Sequence, residues 1–349
     1  MAAELVGLAE IAALFGTTKQ VVSNWRTRKP GFPSPAADLK SGPVWLSDDV
    51  IKWAKREGIA LAQVTKSEAG SHKRAPSRRA RIVALMNMKG GVGKSTLATN
   101  LGWYAAFGRD RRVLLVDLDP QFNLSQYVLG TAGYEQLLEH DQPTVEVLFR
   151  AEGRPQSLDD LIIEVRDYTD DSCVHLIPAS LELAWTIKTA VERSHMLKNY
   201  LDEVRSRYDL IIIDCAPTES ILSRAAYHAA DWVFIPVKPE FLSSIGLPLL
   251  QRSMDEFASE NPEASAPEVG GIIFNDTMDK VEQAKSRRDV QTFAKQTKWP
   301  ILKNEISHSE SYPAGARQGK PIFMTDNARW VKKDELTRVG DEFLKEIGL

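Results

Sequence analysis

The chain has 349 residues, 43% of them apolar and 26% charged, with a formal net charge of −3, a composition suited to roughly two globular domains of about 150 residues each. No run approaches the roughly 18 apolar residues of a membrane span, and the N-terminus lacks a basic–apolar–cleavage pattern, so neither a transmembrane helix nor a secretory signal is expected. Two cysteines, Cys173 and Cys215, can build neither a disulfide framework nor a four-ligand metal site, and a reducing cytoplasm is the expected compartment.

The near-zero balance hides an asymmetry. Residues 1–81 carry 14 Lys and Arg against 7 Asp and Glu, whereas the remaining 268 residues carry 30 against 40. A basic N-terminal segment on an acidic body suggests a nucleic-acid contact at that end.

In chain order, Leu8 to Phe15 has helical apolar spacing, Gly16 breaks it, and Thr17-Thr18 can cap a second helix from Lys19 to about Arg28. That second helix buries Val21, Val22 and Trp25. Its other face presents Gln20, Ser23, Asn24 and Thr27, with Lys19, Arg26 and Arg28 for phosphates. Short polar side chains for base edges, flanked by cations, are the logic of a helix-turn-helix. A small wing after Phe32-Pro33-Ser34-Pro35 and a closing helix ending near Trp53 complete the module, expected over residues 1–63. The order resembles the winged helices of the MerR and excisionase group, although any small three-helix module shows a similar pattern. Residues 64–80 are polar, basic and poor in large apolar side chains, as a flexible linker requires. Lys73, Arg74, Arg78, Arg79 and Arg81 are solvated there or add phosphate contacts.

From residue 81 to 349, buried-strand runs alternate with helical stretches. Strands are expected at Arg81–Asn87, Arg112–Asp117, Val174–Pro178, Leu210–Asp214, Trp232–Val237 and Gly271–Asn275, with helices over 95–107, 181–207, 243–259 and 282–297. Continuous β-branched runs separated by helices predict an α/β fold, a doubly wound and mostly parallel sheet.

The most informative stretch is Met86-Asn-Met-Lys-Gly-Gly-Val-Gly-Lys-Ser-Thr96, between the first strand and a helix. Gly90, Gly91 and Gly93 let backbone N–H groups, including that of Val92, approach a phosphate chain. The helix N-terminus at Ser95 and Thr96 adds partial positive charge. Lys94 is placed for the β and γ phosphates, and Ser95 for Mg²⁺. Met88 stands where the generic P-loop has its first glycine, and Lys89 adds a second cation, either a surface charge or a further phosphate contact.

Lys89-Gly-Gly-Val-Gly-Lys-Ser-Thr96 resembles the deviant Walker A motif of the ParA/MinD family of P-loop ATPases. Val113 to Gln121 is similar to that family's second-strand motif, and Tyr208 to Pro217 to its Walker B. Weaker similarities at Leu176–Ser180, Ile235–Pro239 and Gly319–Ile322 carry the resemblance across about residues 81–345. The resemblance implies ATP hydrolysis with Mg²⁺ in an ATP-sandwiched homodimer, Lys89 crossing to the other subunit's nucleotide. It implies that Asp119 positions the attacking water and that Asp214 holds Mg²⁺, with Asp117 either in the magnesium shell or capping its strand. Strand-end carboxylates beside a phosphate site suit these roles on chemical grounds. Asn275 is a candidate for base contact, or a turn residue beside Asp276. Phe122, where many relatives have glycine, and Ala216, where many have proline, depart from the pattern. Lys280, Lys285, Arg287 and Arg288 form a basic cluster in a region that binds non-specific DNA in ParA relatives, or a solvated helix face.

Nitrogenase iron proteins share the loop but need paired cluster cysteines, which Cys173 and Cys215 do not resemble. No substrate-pocket signature of dethiobiotin synthases is present. The C-terminal segment 334–349 is too acidic for an anionic membrane and reads as a core-packing helix. A ParA-type partition ATPase, cytoplasmic and nucleoid-associated, with a ParB-like centromere-binding partner and autorepression through the N-terminal module, is therefore expected. The alternatives are a nucleotide-gated transcription regulator and a positioning ATPase for a non-DNA cargo.

Overall fold

The computed structural model describes residues 79–150, 157–169, 172–186, 193–240, 243–325 and 328–349 of the body, and residues 5–6, 8, 11, 22, 25–26, 29, 31–39 and 42–57 nearer the N-terminus. The chain divides into two compact units, Met1–Ala75 and Pro76–Leu349.

In the first unit, β1 (Leu5–Val6), β2 (Ala37–Leu39) and β3 (Gly42–Leu46) form an antiparallel sheet in the order β1-β3-β2, followed by the helix Ser47–Arg56. Ile11, Val22, Trp45, Val50, Trp53 and Ala54 close its core. Phe32 stands edge-on to both Trp45 and Trp53, at 5.8 and 4.7 Å between ring centres, and the Trp45 Nε1–H donates to the Pro33 carbonyl at 2.9 Å. A buried indole needs such a partner.

The second unit is built on seven strands: β4 (Arg81–Leu85), β5 (Arg112–Leu118), β6 (Ile163–Thr169), β7 (Ser172–Ile177), β8 (Leu210–Cys215), β9 (Trp232–Val237) and β10 (Glu268–Phe274). Their order is β10-β9-β4-β8-β5-β7-β6. All neighbours run parallel except β6, which pairs antiparallel with β7. The six strands expected from continuous apolar runs are all present. β6 was not anticipated because Ile163, Glu164, Val165 and Arg166 alternate apolar with charged, the signature of a half-exposed edge strand rather than a buried one.

Two apolar layers cover the sheet, one over Ile82, Ala84, Ile211, Ile213 and Ile235, the other over Val83, Leu85, Leu115, Ile212 and Phe234. The C-terminal helix Trp330–Glu346 belongs to the second, burying Leu336, Val339, Phe343 and Leu344, with Phe343 against Phe234 at 4.7 Å. Gly340 lets it close on Tyr104, whose ring would lie 2.2 Å from any added Cβ. Of the helix expected over 181–207, the described residues show Leu183–Thr186 and Met196–Val204 as helical, with 193–195 outside any α-helix. Arg79 and Ala80, at the end of the basic segment, are tied to the body: Arg79 pairs with Asp202 at 2.7 Å, and the Ala80 carbonyl accepts from Arg205 Nε at 2.7 Å.

Both outer edges of this sheet are occupied or blunted. The segment 300–308 hydrogen-bonds along β10 through Ile272, Phe274 and Thr277. At the other edge β6 carries Glu164 and Arg166 and breaks its register twice.

Candidate nucleotide site

Parallel register brings the C-terminal ends of the central strands together. Leu85 of β4 and Asp117 of β5 both lie opposite Asp214 of β8, so the loop leaving β4 emerges beside two buried carboxylates. This is where open α/β sheets bind ligands. An open cleft of about 660 Å³ lies here, lined by Gly90, Gly91, Gly93, Lys94, Ser95 and Thr96 on one side, with Asp119, Gln121 and Asn123 opposite and Arg317 at the rim.

The loop needs its glycines. Gly91 and Gly93 have φ of +72° and +90°, and a Cβ at Gly93 would meet Asn275 Nδ2 at 2.1 Å. Gly93 caps the helix Lys94–Trp103 in the left-handed conformation, leaving the first helical N–H groups free for an anion. Lys94 is only 6% exposed. Its ammonium donates to the carbonyls of Lys89 and Asn87 at 3.3 and 3.4 Å, long bonds that a phosphate can improve upon. Burial lowers its pKa, while Asp214 and Asp119 oppose that shift.

Asp214 is fully buried, and no donor meets either of its oxygens in full hydrogen-bond geometry, the Ser95 side chain making only a looser approach. Burial first, then the neighbouring Asp117, push its pKa well above the carboxylate range, while Ser95 and Lys94 oppose the rise. A buried carboxylate left in this state is costly, and a divalent cation beside Ser95 would satisfy it. Among the described residues no cluster of three His, Cys, Asp or Glu side chains could hold a metal by itself, so an ion here would need phosphate oxygens to complete its shell.

Asp117 differs. Its Oδ2 accepts from Ser125 N at 2.8 Å and Ser125 Oγ at 2.7 Å, and its Oδ1 from Asp119 N at 3.2 Å. Its hydrogen bonds brace the turn after β5. Asp119 lies in the cleft, 6% exposed, its Oδ1 accepting from Gln121 N at 2.9 Å. Phe122 follows with φ of +44°, a strained value for a bulky residue, and stacks on Tyr134 at 4.9 Å between centres.

Lys89 extends toward Glu240, its Nζ 3.0 Å from Oε2. Gly246, on the helix Ser243–Glu260, packs on Asn87 and Lys89, and exposed Ile245 and Leu249 follow on the same helix. Asn275 spends its Nδ2 on the Val92 carbonyl at 2.9 Å, bracing the loop. In the basic cluster, Arg287 is held bidentately by Glu305 and lies over the Phe274 ring, Lys285 pairs with Glu282 at 3.2 Å, and Arg288 is exposed. Of the helix-turn-helix candidates, Lys19, Gln20, Ser23, Asn24 and Arg28 lie outside the described residues. Arg26 is exposed, with its guanidinium 5.9 Å from the Trp45 ring centre. Glu240 and Arg317 were missed by sequence reasoning, because neither sits in a phosphate-binding motif and only the fold brings them to the loop or the cleft.

A family model described as "AAA domain" matches residues 80–265. The chromosome-partitioning ATPase Soj of Treponema pallidum is 32% identical over 251 residues, covering 70% of this chain and 90% of that protein. Among solved structures, an ATP complex of a McdA variant from Cyanothece superposes with a TM-score of 0.64 at 21% identity, over 78% of this chain and 98% of the other. Cobyrinic acid a,c-diamide synthase from Mycobacterium smegmatis, with bound ATP analogue and magnesium, gives 0.54 at 27%, over 68% and 92%.

Proposed function

Because the chain belongs to the ParA/Soj-like family of P-loop ATPases, we propose that it is a DNA-partition ATPase whose ATP-bound homodimer binds DNA without sequence preference. The observation that carries the nucleotide part is a buried, weakly bonded Lys94 next to the buried carboxyl of Asp214, with Lys94 and Ser95 lining a cleft large enough for a nucleotide. Lys94 would meet the β and γ phosphates, and the N–H groups at the start of the helix Lys94–Trp103 would hold their oxygens. Ser95 and Asp214 would hold Mg²⁺, which neutralises charge developing on the phosphates. Asp119 would orient the attacking water, steadied through Asp117 and Gln121.

Lys89 packs by Gly246, on the helix that also carries exposed Ile245 and Leu249, and a second copy meeting that helix would take Lys89 to its own nucleotide. Lys285 and Arg288, on the helix Val281–Thr297, would supply phosphate contacts to DNA. A ParB-like centromere-binding protein would stimulate a slow basal hydrolysis, and the dimer would be nucleoid-associated in the cytoplasm. The basic N-terminal unit would bind an operator and autorepress transcription.

That basic unit also favours a second reading, a nucleotide-gated transcription regulator. The test is binding of the full chain to random duplex DNA with ATP, ADP or neither. Binding with ATP alone supports partition. Binding indifferent to nucleotide and selective for one sequence supports the regulator. ATP-dependent assembly with no DNA affinity would leave positioning of a non-DNA cargo.

A further inference from the structure

Two cationic side chains line the nucleotide cleft, Lys94 and Arg317, and one acidic side chain, Asp119. Lys94 is opposed by Asp214 and Asp119. Arg317 is exposed at the rim and makes no ion pair among the described residues. Its place in the fold is nonetheless closely set. The helix Ser311–Gln318 ends at Gly319, which meets Gly130 backbone to backbone, with φ of +64° and +69°. A Cβ added at Gly319 would lie 3.3 Å from the Gly130 backbone. The chain then turns to Ile322, whose N–H donates to Asn100 Oδ1 at 2.7 Å, while Asn100 Nδ2 donates to the Tyr127 hydroxyl at 3.1 Å. Asn100 belongs to the helix that the phosphate loop opens, so the segment carrying Arg317 is tied to both walls of the cleft. Its position along the cleft follows from helix geometry. Gly130 stands about 10 Å beyond Asn123 along the helix Asn123–Glu139. Asp119 lies just before that helix begins, and Arg317 is brought in at Gly130, so the two mark opposite ends.

We propose that Arg317 is a nucleotide-binding residue whose guanidinium takes the α-phosphate of the nucleotide held in its own subunit. The proposal rests on the reading of the cleft as the phosphate site, with Lys94 at the β and γ phosphates and Asp119 at the attacking water. A nucleotide whose γ-phosphate lies by Asp119 turns its α-phosphate toward the other end, where the unpaired cation stands. A planar guanidinium there meets two phosphate oxygens at once, which an ammonium does not. The α-phosphate is common to ATP and ADP. Arg317 therefore adds the same affinity to both and leaves the distinction between them to the loop and Mg²⁺. It sets how long ADP is retained after hydrolysis, and so how soon a new ATP enters.

The experiment is equilibrium dialysis of the full chain with Mg²⁺ against labelled ADP and a labelled non-hydrolysable ATP analogue. Wild type, Arg317→Ala, Arg317→Lys and Lys94→Ala are compared, with thermal unfolding to confirm that each is folded. Arg317→Ala should weaken both nucleotides alike, by about tenfold, the lower range for a charge-assisted hydrogen bond. Arg317→Lys should fall between that variant and wild type. A loss confined to the ATP analogue would put Arg317 at the γ-phosphate and overturn the assignment, as would unchanged affinity for both. A second readout uses ADP with one α-oxygen replaced by sulfur. Wild type should bind its two diastereomers unequally, and Arg317→Ala should bring them closer together. An unchanged ratio overturns the α-phosphate contact. If Lys94→Ala leaves affinity intact, the cleft is not the phosphate site and both readings fall. If Lys94→Ala weakens binding while Arg317→Ala does not, the role of Arg317 alone is overturned.

Discussion

Asp117 at the end of β5 and Asp214 at the end of β8 face each other in register, both fully buried, and burial is the main cause raising the pKa of each. Ser125 and the Asp119 N–H satisfy the first, while the second is approached only loosely by the Ser95 side chain, with no bond of full hydrogen-bond geometry. Residue type and depth are equal, so what separates a structural carboxylate from a binding one is the completeness of its hydrogen bonds. An acceptor completed by its own chain fixes the turn that carries Asp119. An acceptor left open stores a cost that a cation can remove.

The contrast can be broken most severely at Lys94, the cation that faces the open carboxylate. Lys94→Ala should weaken nucleotide binding by about a hundredfold or more, a loss of about 2.7 kcal/mol or more, in equilibrium dialysis with labelled ATP. Retained affinity would mean that the cleft is not a phosphate site. Asp119→Ala should cut hydrolysis by roughly a hundredfold, the lower range for a positioned acid–base group. ATP binding should survive and the dimer accumulate, as phosphate release and light scattering would show. Rapid turnover by that variant would remove Asp119 from the chemistry.

Two smaller effects should differ in size. Ser125→Ala withdraws the hydroxyl donor from the satisfied Asp117, leaving the backbone N–H of residue 125 in place, and should cost about 1.5–3 kcal/mol of stability, the range for hydrogen bonds to a charged group. Urea unfolding without nucleotide measures it. Asp214→Asn replaces a carboxyl that burial already drives toward its neutral form, and should leave the nucleotide-free chain within about 1 kcal/mol of wild type in stability. The same substitution should abolish the Mg²⁺-dependence of ATP affinity. A large loss of stability in Asp214→Asn would show that this carboxylate, too, is satisfied by the protein.

Much of this site was legible in the sequence because phosphate binding leaves a local trace. Glycines at 90, 91 and 93, Lys94 and Ser95 stand within six residues between a strand and a helix, and no long-range information is needed to place them. The same holds for the parallel strands, whose apolar runs report burial on two faces. Long-range pairing is not written that way. Nothing near Asp117 says that Ser125 will turn back to it, and nothing near Asn275 says that its amide will be spent on the Val92 carbonyl. Arg287 reads as a DNA contact by composition and is paired with Glu305, a strand away. β6 escaped notice because its alternation is short and charged, and the helix expected over 181–207 divided although its composition stays helical to the eye.

The two guarded edges of the large sheet bear on how copies of this chain can meet. Segment 300–308 already takes the hydrogen bonds of β10, and β6 presents charges and two irregularities. The first edge is already taken and the second is discouraged by its charges and irregularities, so prolonging the sheet with a neighbouring molecule is disfavoured. Contacts between copies are then favoured through side chains on its faces and loops, where ions, hydration and a small ligand can tip the balance. Assembly by strand addition tends toward permanence, whereas assembly by such faces can be undone within a working cycle.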